Sequence, residues 1–491
     1  MAVHAPKRAA TAVAVVAGAV TFMAIASPAA ATEPLHGAHL PWPLALPFAG
    51  ILLSIAFGPL VVKEWWHIHY EKAAVFWATL TIAGLTYIEG PAATAAAFAH
   101  SMALEYLPFI LMLFALFTTA GGILICGRLA GSPVLNCAIL AFGAALASLI
   151  GTTGASMILI RPLIRANESR GFNAHVVVFF IFLVSNIGGG LTPLCNPPIF
   201  LGFLRGIDFF WTTRVLWPQT FFVVSVLLAL FFLIDFYFHS RENGYPLCDF
   251  GKSLEDPTAA ASAQGGRLRV SGTINIWLIA VAISAIIVSG IWRPGIHFDL
   301  FGARIELQNL VREVVMIGVG LASLALTSAR VRAENSFEWE PIKEVTYLFA
   351  GIFICIIPVM AMLQAGMDGP FAGICRLLTL GDGAPNNPVY FWATGLLSSF
   401  LDNAPTYLVF FELAGGDPTT LMGPLRETLE SISLGAVFMG ANTYIGNAPN
   451  FMVYAIARRS GVKMPSFLGY MLCSSAILLP VFAVVTWLFI P

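Results

Sequence analysis

Four short polar stretches interrupt apolar segments of this 491-residue chain, and their residue types suit ion chemistry. They are Gly151-Thr152-Thr153-Gly154-Ala155-Ser156, Thr192-Pro193-Leu194-Cys195-Asn196-Pro197-Pro198, Asp402-Asn403-Ala404-Pro405-Thr406, and Asn442-Thr443-Tyr444-Ile445-Gly446-Asn447-Ala448-Pro449-Asn450. Pro and Gly inside an apolar helix free backbone carbonyls and amides. Hydrocarbon cannot satisfy these groups, so such backbone must be buried in protein or line a wet cavity. Freed carbonyls together with Asn, Ser and Thr oxygens suit a small hard cation such as Na⁺, and half-helix amino ends present a positive dipole to anions. Ser185 and Asn186, just ahead of Gly188-Gly189-Gly190, either join such a site or serve as interhelical hydrogen-bond glue.

The breaks come in pairs. A shift of 251 residues lays Thr192 on Thr443, Asn196 on Asn447 and Pro198 on Pro449. In each half an interrupted hairpin precedes an interrupted span by about forty residues, which describes an inverted-topology repeat. Among the intramembrane acids Asp402 stands out, because a carboxylate near the bilayer centre costs at least about 3 kcal/mol and tends to survive with a partner, here a cation or a proton. Glu89, Glu105, Asp208 and Asp235 lie near span ends and read as interfacial. Glu412 sits at the outer end of the second hairpin. Arg161, near the first hairpin tip, either pairs with an acid, attracts an anionic substrate or snorkels to the surface.

The elements that carry these residues follow from composition. Hydrophobic residues make up 58% of the chain and charged residues 10%, against about 25% in soluble domains; mean hydropathy is +0.83. Most of the chain therefore belongs in lipid, and its net charge of −1 gives no basic patch for nucleic acid. Uninterrupted apolar stretches at 42–62, 73–90, 106–126, 175–206, 215–238, 273–292, 311–328, 344–364, 432–458 and 467–489 can each cross a core of about 30 Å. The segments 133–166 and 388–414, polar at their middles, fit re-entrant helical hairpins. On that layout sixteen Lys and Arg fall on the cytoplasmic face and seven on the outer face, which puts the first hairpin's entry on the cytoplasmic side.

The expected class is an all-α polytopic membrane protein of about 10–11 transmembrane helices, with two re-entrant hairpins and two broken helices. Residues 1–31 read as a signal peptide or signal anchor: Lys7 and Arg8 precede an apolar run and a small-residue exit at Ser27-Pro28-Ala29-Ala30-Ala31. Residues 41–238 form a first half, 239–272 a polar cytoplasmic linker and 273–491 a second half. Seven scattered cysteines show no metal spacing and read as small buried thiols. No metalloprotease, nucleophile-elbow or P-loop pattern occurs, which argues against an enzyme.

Ser185-Asn186-Ile187-Gly188-Gly189-Gly190-Leu191-Thr192-Pro193 through Gly202-Phe203-Leu204-Arg205-Gly206, with Leu401-Asp402-Asn403-Ala404-Pro405-Thr406-Tyr407 and Gly440-Ala441-Asn442-Thr443-Tyr444-Ile445-Gly446-Asn447, resembles the ion transporter superfamily. The resemblance is to its bacterial NhaD-like sodium:proton antiporters and citrate transporters, and it covers nearly the whole chain after the signal segment. It implies a homodimer in the bacterial inner membrane and elevator-type alternating access, with Na⁺ and H⁺ as coupling ions and no other cofactor. Carried over by position, it implies a site built from Thr152, Thr153, Ser156, Asp402, Asn403 and Thr406 on the hairpins and Thr192, Asn196, Asn442, Thr443 and Asn447 on the broken helices, with Asn186 beside them. Na⁺ would be held there without a transition metal, and Asp402 would exchange the proton. Where relatives carry Gly-Asp-Pro-Pro this chain has Cys195-Asn196-Pro197-Pro198, so an amide replaces a carboxylate. Asn196 cannot titrate. That leaves two readings: Na⁺/H⁺ antiport through Asp402, or Na⁺- or H⁺-coupled uptake of citrate or a dicarboxylate whose own charge replaces the missing one.

Overall fold

In the computed structural model, residues 35–126, 131–194, 196–243, 269–300, 303–335, 337–381 and 383–490 are described. The expected signal segment and most of the expected linker lie outside them. Among the described residues eight stretches are helical, long and apolar enough to span a bilayer. The chain is an all-helical multi-pass membrane protein.

The first spans are α1 (Leu46–Val61) and α2 (Lys63–Ser101), which continues through a π-helical turn (Met102–Tyr106) into α3 (Leu107–Ala120). The apolar run Ile68–Ala120 holds 53 residues. At 1.5 Å per residue it is about 80 Å long, more than twice a bilayer core. Gly90, at φ 82° and ψ 166° just before Pro91, breaks it into two membrane-length pieces. Without a Cβ, glycine takes this backbone at no steric cost.

Helices α4 (Pro133–Ile150) and α5 (Thr152–Ala166) form the first hairpin. Ser132 caps its start by accepting from the Leu135 amide, and Gly151 at φ 88° turns the chain at its tip. Asn136 and Asn167 exchange side-chain hydrogen bonds of 2.9 Å across the open end, so both feet stand together. Helices α6 (Ala174–Leu183) and α7 (Pro197–Leu204) are the halves of the first broken helix, and α8 (Trp211–Asn243) follows.

The second half opens with α9 (Ile274–Ile291), α10 (Leu307–Leu326) and α11 (Glu340–Gln364). Its hairpin is α12 (Asn387–Phe400) and α13 (Asn403–Leu413), whose open end is tied by Tyr390 Oη donating to the Leu413 carbonyl at 3.2 Å. Helices α14 (Arg426–Met439) and α15 (Ala448–Arg459) form the second broken helix, and α16 (Phe467–Phe489) ends the chain. The starts of α5 and α13, at Thr152 and Asn403, and of α7 and α15, at Pro197 and Ala448, are each 251 residues apart. Two antiparallel ribbons sit outside the helices. β1 (Leu124–Cys126) pairs with β2 (Arg269–Ser271), and β3 (His297–Leu300) with β4 (Ala303–Glu306) between α9 and α10.

The broken helices occupy the centre. Every residue of α6 from Val176 to Leu183 and of α14 from Thr428 to Met439 is buried, with Phe182, Phe391, Phe438 and Phe482 among the fully enclosed rings. Helices α8, α9, α10 and α16 are mostly exposed to the surroundings of the protein. The thiols divide: Cys355 and Cys375 are buried, Cys137 is partly so, and Cys473 on α16 is exposed.

Two of the acids expected at the interface are instead enclosed in protein. Asp235 on α8 is fully buried and accepts from Arg170 at 2.5 Å, His175 at 2.8 Å and Asn136 at 2.9 Å; Arg170 also meets Glu242 at 3.1 Å. Glu105, in the π-helical turn, and Glu412, at the foot of the second hairpin, share Arg205, at 2.6 and 2.7 Å. Span-end position alone could not distinguish a headgroup-facing acid from one turned inward to a cation. Removing one member of a buried pair leaves an uncompensated charge, which costs about 3–5 kcal/mol. Asp235→Leu is therefore expected to lower the thermal unfolding midpoint in detergent strongly, and Arg170→Leu/Asp235→Leu to recover part of the loss. Equal melting of wild type and Asp235→Leu would contradict this role.

Candidate functional site

A helix broken inside a membrane leaves the first amides of its second half and the last carbonyls of its first half without partners. The two halves answer this the same way. Thr192 Oγ1 donates to the Ser148 carbonyl at 3.0 Å, and Thr443 Oγ1 donates to the Ser399 carbonyl at 2.5 Å. Ser148 Oγ donates to the Gly188 carbonyl, and the single proton of Ser399 Oγ is shared between the Met439 carbonyl at 3.0 Å and the Gly395 carbonyl of its own helix at 2.9 Å. Thr192, Ser148 and Gly188 each lie 251 positions from their counterparts Thr443, Ser399 and Met439. A serine one turn before each hairpin tip thus clamps the carbonyls released at the neighbouring break. Ser148 and Ser399 are absent from the sequence-derived set, although the same shift that aligns the breaks also aligns them.

Around these clamps the expected residues fall into connected groups. At the first hairpin tip Thr152 and Thr153 line a cavity of about 20 Å³ with Asn196 and Pro197 of the first break and Leu116 and Phe117 of α3. That is room for about one water or a bare ion of similar size. Asn196 Oδ1 accepts from Asn403 Nδ2 at 3.0 Å, which joins the first break to the second hairpin tip. Asp402 caps α13 by accepting from the Ala404 amide at 3.1 Å, and its carbonyl accepts from Thr406 Oγ1 at 3.0 Å. Asp402 is 8% exposed, and among the described residues it forms no ion pair.

One turn along α5 from Thr152, Ser156 meets Ser185 at 2.9 Å between hydroxyls. Asn447 of the second break donates to the Ser185 carbonyl and to Asn186 Oδ1, both at 3.1 Å. Asn186 in turn donates to Asn450, which donates to the carbonyls of Gly440 at 2.9 Å and Thr443 at 3.1 Å. Asn442 donates to Ser399 Oγ at 2.9 Å. Asn450 is a third contributor that sequence reasoning passed over; it lies three residues beyond Asn447, inside the quoted motif. Thr192 and Thr406 spend their hydroxyls on backbone carbonyls and act as braces. Arg161 faces Asn335 at 3.5 Å, away from the hairpin tip.

The amides matter for what is left over. Among the described residues Asn403 Oδ1, Asn442 Oδ1, Asn447 Oδ1 and Asn196 Nδ2 are buried without a hydrogen-bond partner. A buried polar atom left unpaired costs about 1–3 kcal/mol, so several of them beside four helix breaks mark a place where a ligand would be stabilised. Three of these atoms are oxygens, and Asp402 is the chain neighbour of one of their owners, Asn403. The amino ends of α5, α7, α13 and α15 begin at the same four breaks.

Comparison with known proteins places this arrangement among transporters. A family profile described as "Putative citrate transport" matches residues 37–490. An uncharacterized transporter of Mycobacterium bovis is 26% identical over 354 residues, 69% of this chain and 72% of its own length. An uncharacterized transporter of Mycobacterium tuberculosis matches to the same extent, 26% over 354 residues with 69% and 72% covered. A 46 kDa membrane protein of Mycobacterium leprae is 24% identical over 341 residues, covering 68% of this chain and 72% of its own.

The symmetric clamps give a paired expectation. Ser148→Ala and Ser399→Ala each leave a buried carbonyl unanswered, and each should cost about 1–3 kcal/mol. Thr486→Val, which removes a hydroxyl whose bond among the described residues is to the Phe482 carbonyl of its own helix turn, should cost less. Thermal unfolding in detergent checks this; a loss at only one of the two serines would break the equivalence.

Proposed function

We propose that this chain, which belongs to the citrate transport family matched over residues 37–490, is a secondary active transporter that exchanges Na⁺ for H⁺ at the paired helix breaks. The observation that carries this reading is the set of unpartnered buried amide oxygens at the breaks, with an ion-sized cavity at the first hairpin tip to which Thr152, Thr153 and Asn196 contribute, and Asn196 bonded to Asn403 next to Asp402. Oxygen ligands of this kind suit a hard cation, and Asp402 supplies the charge that holds it. A proton on Asp402 removes that charge, so proton and Na⁺ compete for one carboxylate. In this proposal both hairpins are re-entrant, the breaks meet near the bilayer midplane, and the hairpin and broken-helix elements move as a body to expose the site to each side in turn. A bacterial inner membrane and a homodimer complete it.

Citrate or dicarboxylate symport is the second reading. It is favoured by four half-helix amino ends at the site, whose dipoles suit an anion, and by the family description. Asn196, in place of an acid, leaves the site poorer in negative charge, which an anionic substrate would supply.

Flux through proteoliposomes separates the two. On the antiport reading Asp402→Asn abolishes pH-dependent ²²Na⁺ efflux while expression and folding persist, and wild-type Na⁺ affinity falls as pH falls. Asn196→Asp should raise Na⁺ affinity by adding a second carboxylate. Unchanged exchange in Asp402→Asn would sink the antiport assignment, and ²²Na⁺ uptake that requires citrate or succinate would replace it with symport.

A further inference from the structure

Helices α9 and α10 enclose a second cavity, of about 270 Å³, far from the breaks in sequence. Its rim is apolar and half-exposed: Val281 (48%), Val288 (50%) and Val311 (42%). Its floor is polar and buried, with Ser289, Gln308 and Arg312 among the lining residues and Arg312 only 3% exposed. Trp292, at the end of α9 and 45% exposed, also lines it.

The floor offers unsatisfied groups of both polarities. Arg312 donates from Nε and Nη2 to Glu313 Oε1, at 3.0 and 2.7 Å, and from Nη1 to Ser289 Oγ at 3.4 Å. A guanidinium carries five N–H donors, so these bonds leave capacity for two more. Gln308, 4% exposed, gives its Nε2 to Glu306, while its Oε1 is buried without a partner among the described residues. Arg312 is already neutralised by Glu313, which lies outside the groove lining, so a simple anion would leave the Gln308 oxygen unanswered. A phosphate joined to an amine answers both the guanidinium and that oxygen.

Depth and access fit a bilayer component. Trp at a helix end marks the headgroup level. Arg312 lies five residues into α10, about 8 Å below its start at 1.5 Å per residue, which is within reach of a headgroup phosphate. The stretches of α9 and α10 around the groove are only 28% buried in the protein, so the occupant arrives from the lipid side. We propose that this groove is a binding site for a zwitterionic phospholipid of the phosphatidylethanolamine class. Its phosphate faces the spare guanidinium N–H groups of Arg312, its ammonium faces Gln308 Oε1, and an acyl chain lies along Val281, Val288 and Val311.

Native mass spectrometry of the full-length protein released from nanodiscs of equal phosphatidylethanolamine and phosphatidylglycerol tests this. Wild type should retain one phosphatidylethanolamine per chain. Val288→Trp, which fills the groove from its exposed wall, and Gln308→Leu, which removes the ammonium acceptor, should each lower that occupancy about tenfold. Both variants leave the Arg312–Glu313 pair intact, and unchanged thermal unfolding reports that they fold. Asp402→Asn should keep the lipid, which separates this site from the transport site. Equal retention in wild type and both variants would overturn the proposal. So would a preference for phosphatidylglycerol, or a loss of oligomer in Val288→Trp without loss of lipid, the signature of a groove covered by a second copy.

Discussion

Hydrocarbon offers no hydrogen bonds, and the organisation of this protein follows from that single constraint. A spanning helix satisfies its own backbone; a broken one does not. The chain breaks helices at four places in the middle of its apolar mass, and each break has to be answered from inside the protein. Ser148 and Ser399 answer the carbonyls at Gly188 and Met439, Thr192 and Thr443 hold the serine carbonyls in return, and Asn186, Asn447 and Asn450 tie the two halves together. What this network leaves unanswered, three amide oxygens and one amide nitrogen, is what a ligand can use.

Charge follows the same rule. The few ionisable groups within the helical mass are mostly spent on one another: Asp235 with Arg170 and His175, Glu105 and Glu412 with Arg205, Arg312 with Glu313. These pairs tie hairpin feet and helix ends together. Among the described residues two buried acids differ in having no ion pair: Asp402 accepts from the Ala404 amide, and Glu430 of α14 accepts from Gln219 Nε2. An isolated carboxylate is costly in such a medium, and the antiport proposal assigns Asp402, at the second hairpin tip, the exchange of a proton for a cation.

Much of this was legible beforehand because the apolar spans and the polar breaks differ so sharply in composition. The shift of 251 residues found from Thr192, Asn196 and Pro198 also aligns the starts of α5 with α13 and of α7 with α15. Other features depended on where a side chain points. Asp235 and Glu105 sit at span ends in sequence, and only the turn of α8 and the π-helical stretch before α3 direct them inward to Arg170 and Arg205. Ser148 and Ser399 look like ordinary small residues in apolar helices, and their role emerges only when hairpin and broken helix are seen side by side. The split of one 53-residue apolar run at Gly90 was visible as a gap between spans; the φ of 82° supplies the mechanism.

On the proposed function the four separated breaks form one cation site. Hydrogen–deuterium exchange of the reconstituted protein, with and without Na⁺ at constant ionic strength, tests it most directly. Peptides covering 148–156, 185–198, 398–406 and 440–450 should gain protection together on adding Na⁺, and that gain should vanish in Asp402→Asn. Protection confined to one of the four segments, or identical exchange with and without Na⁺, would contradict the account.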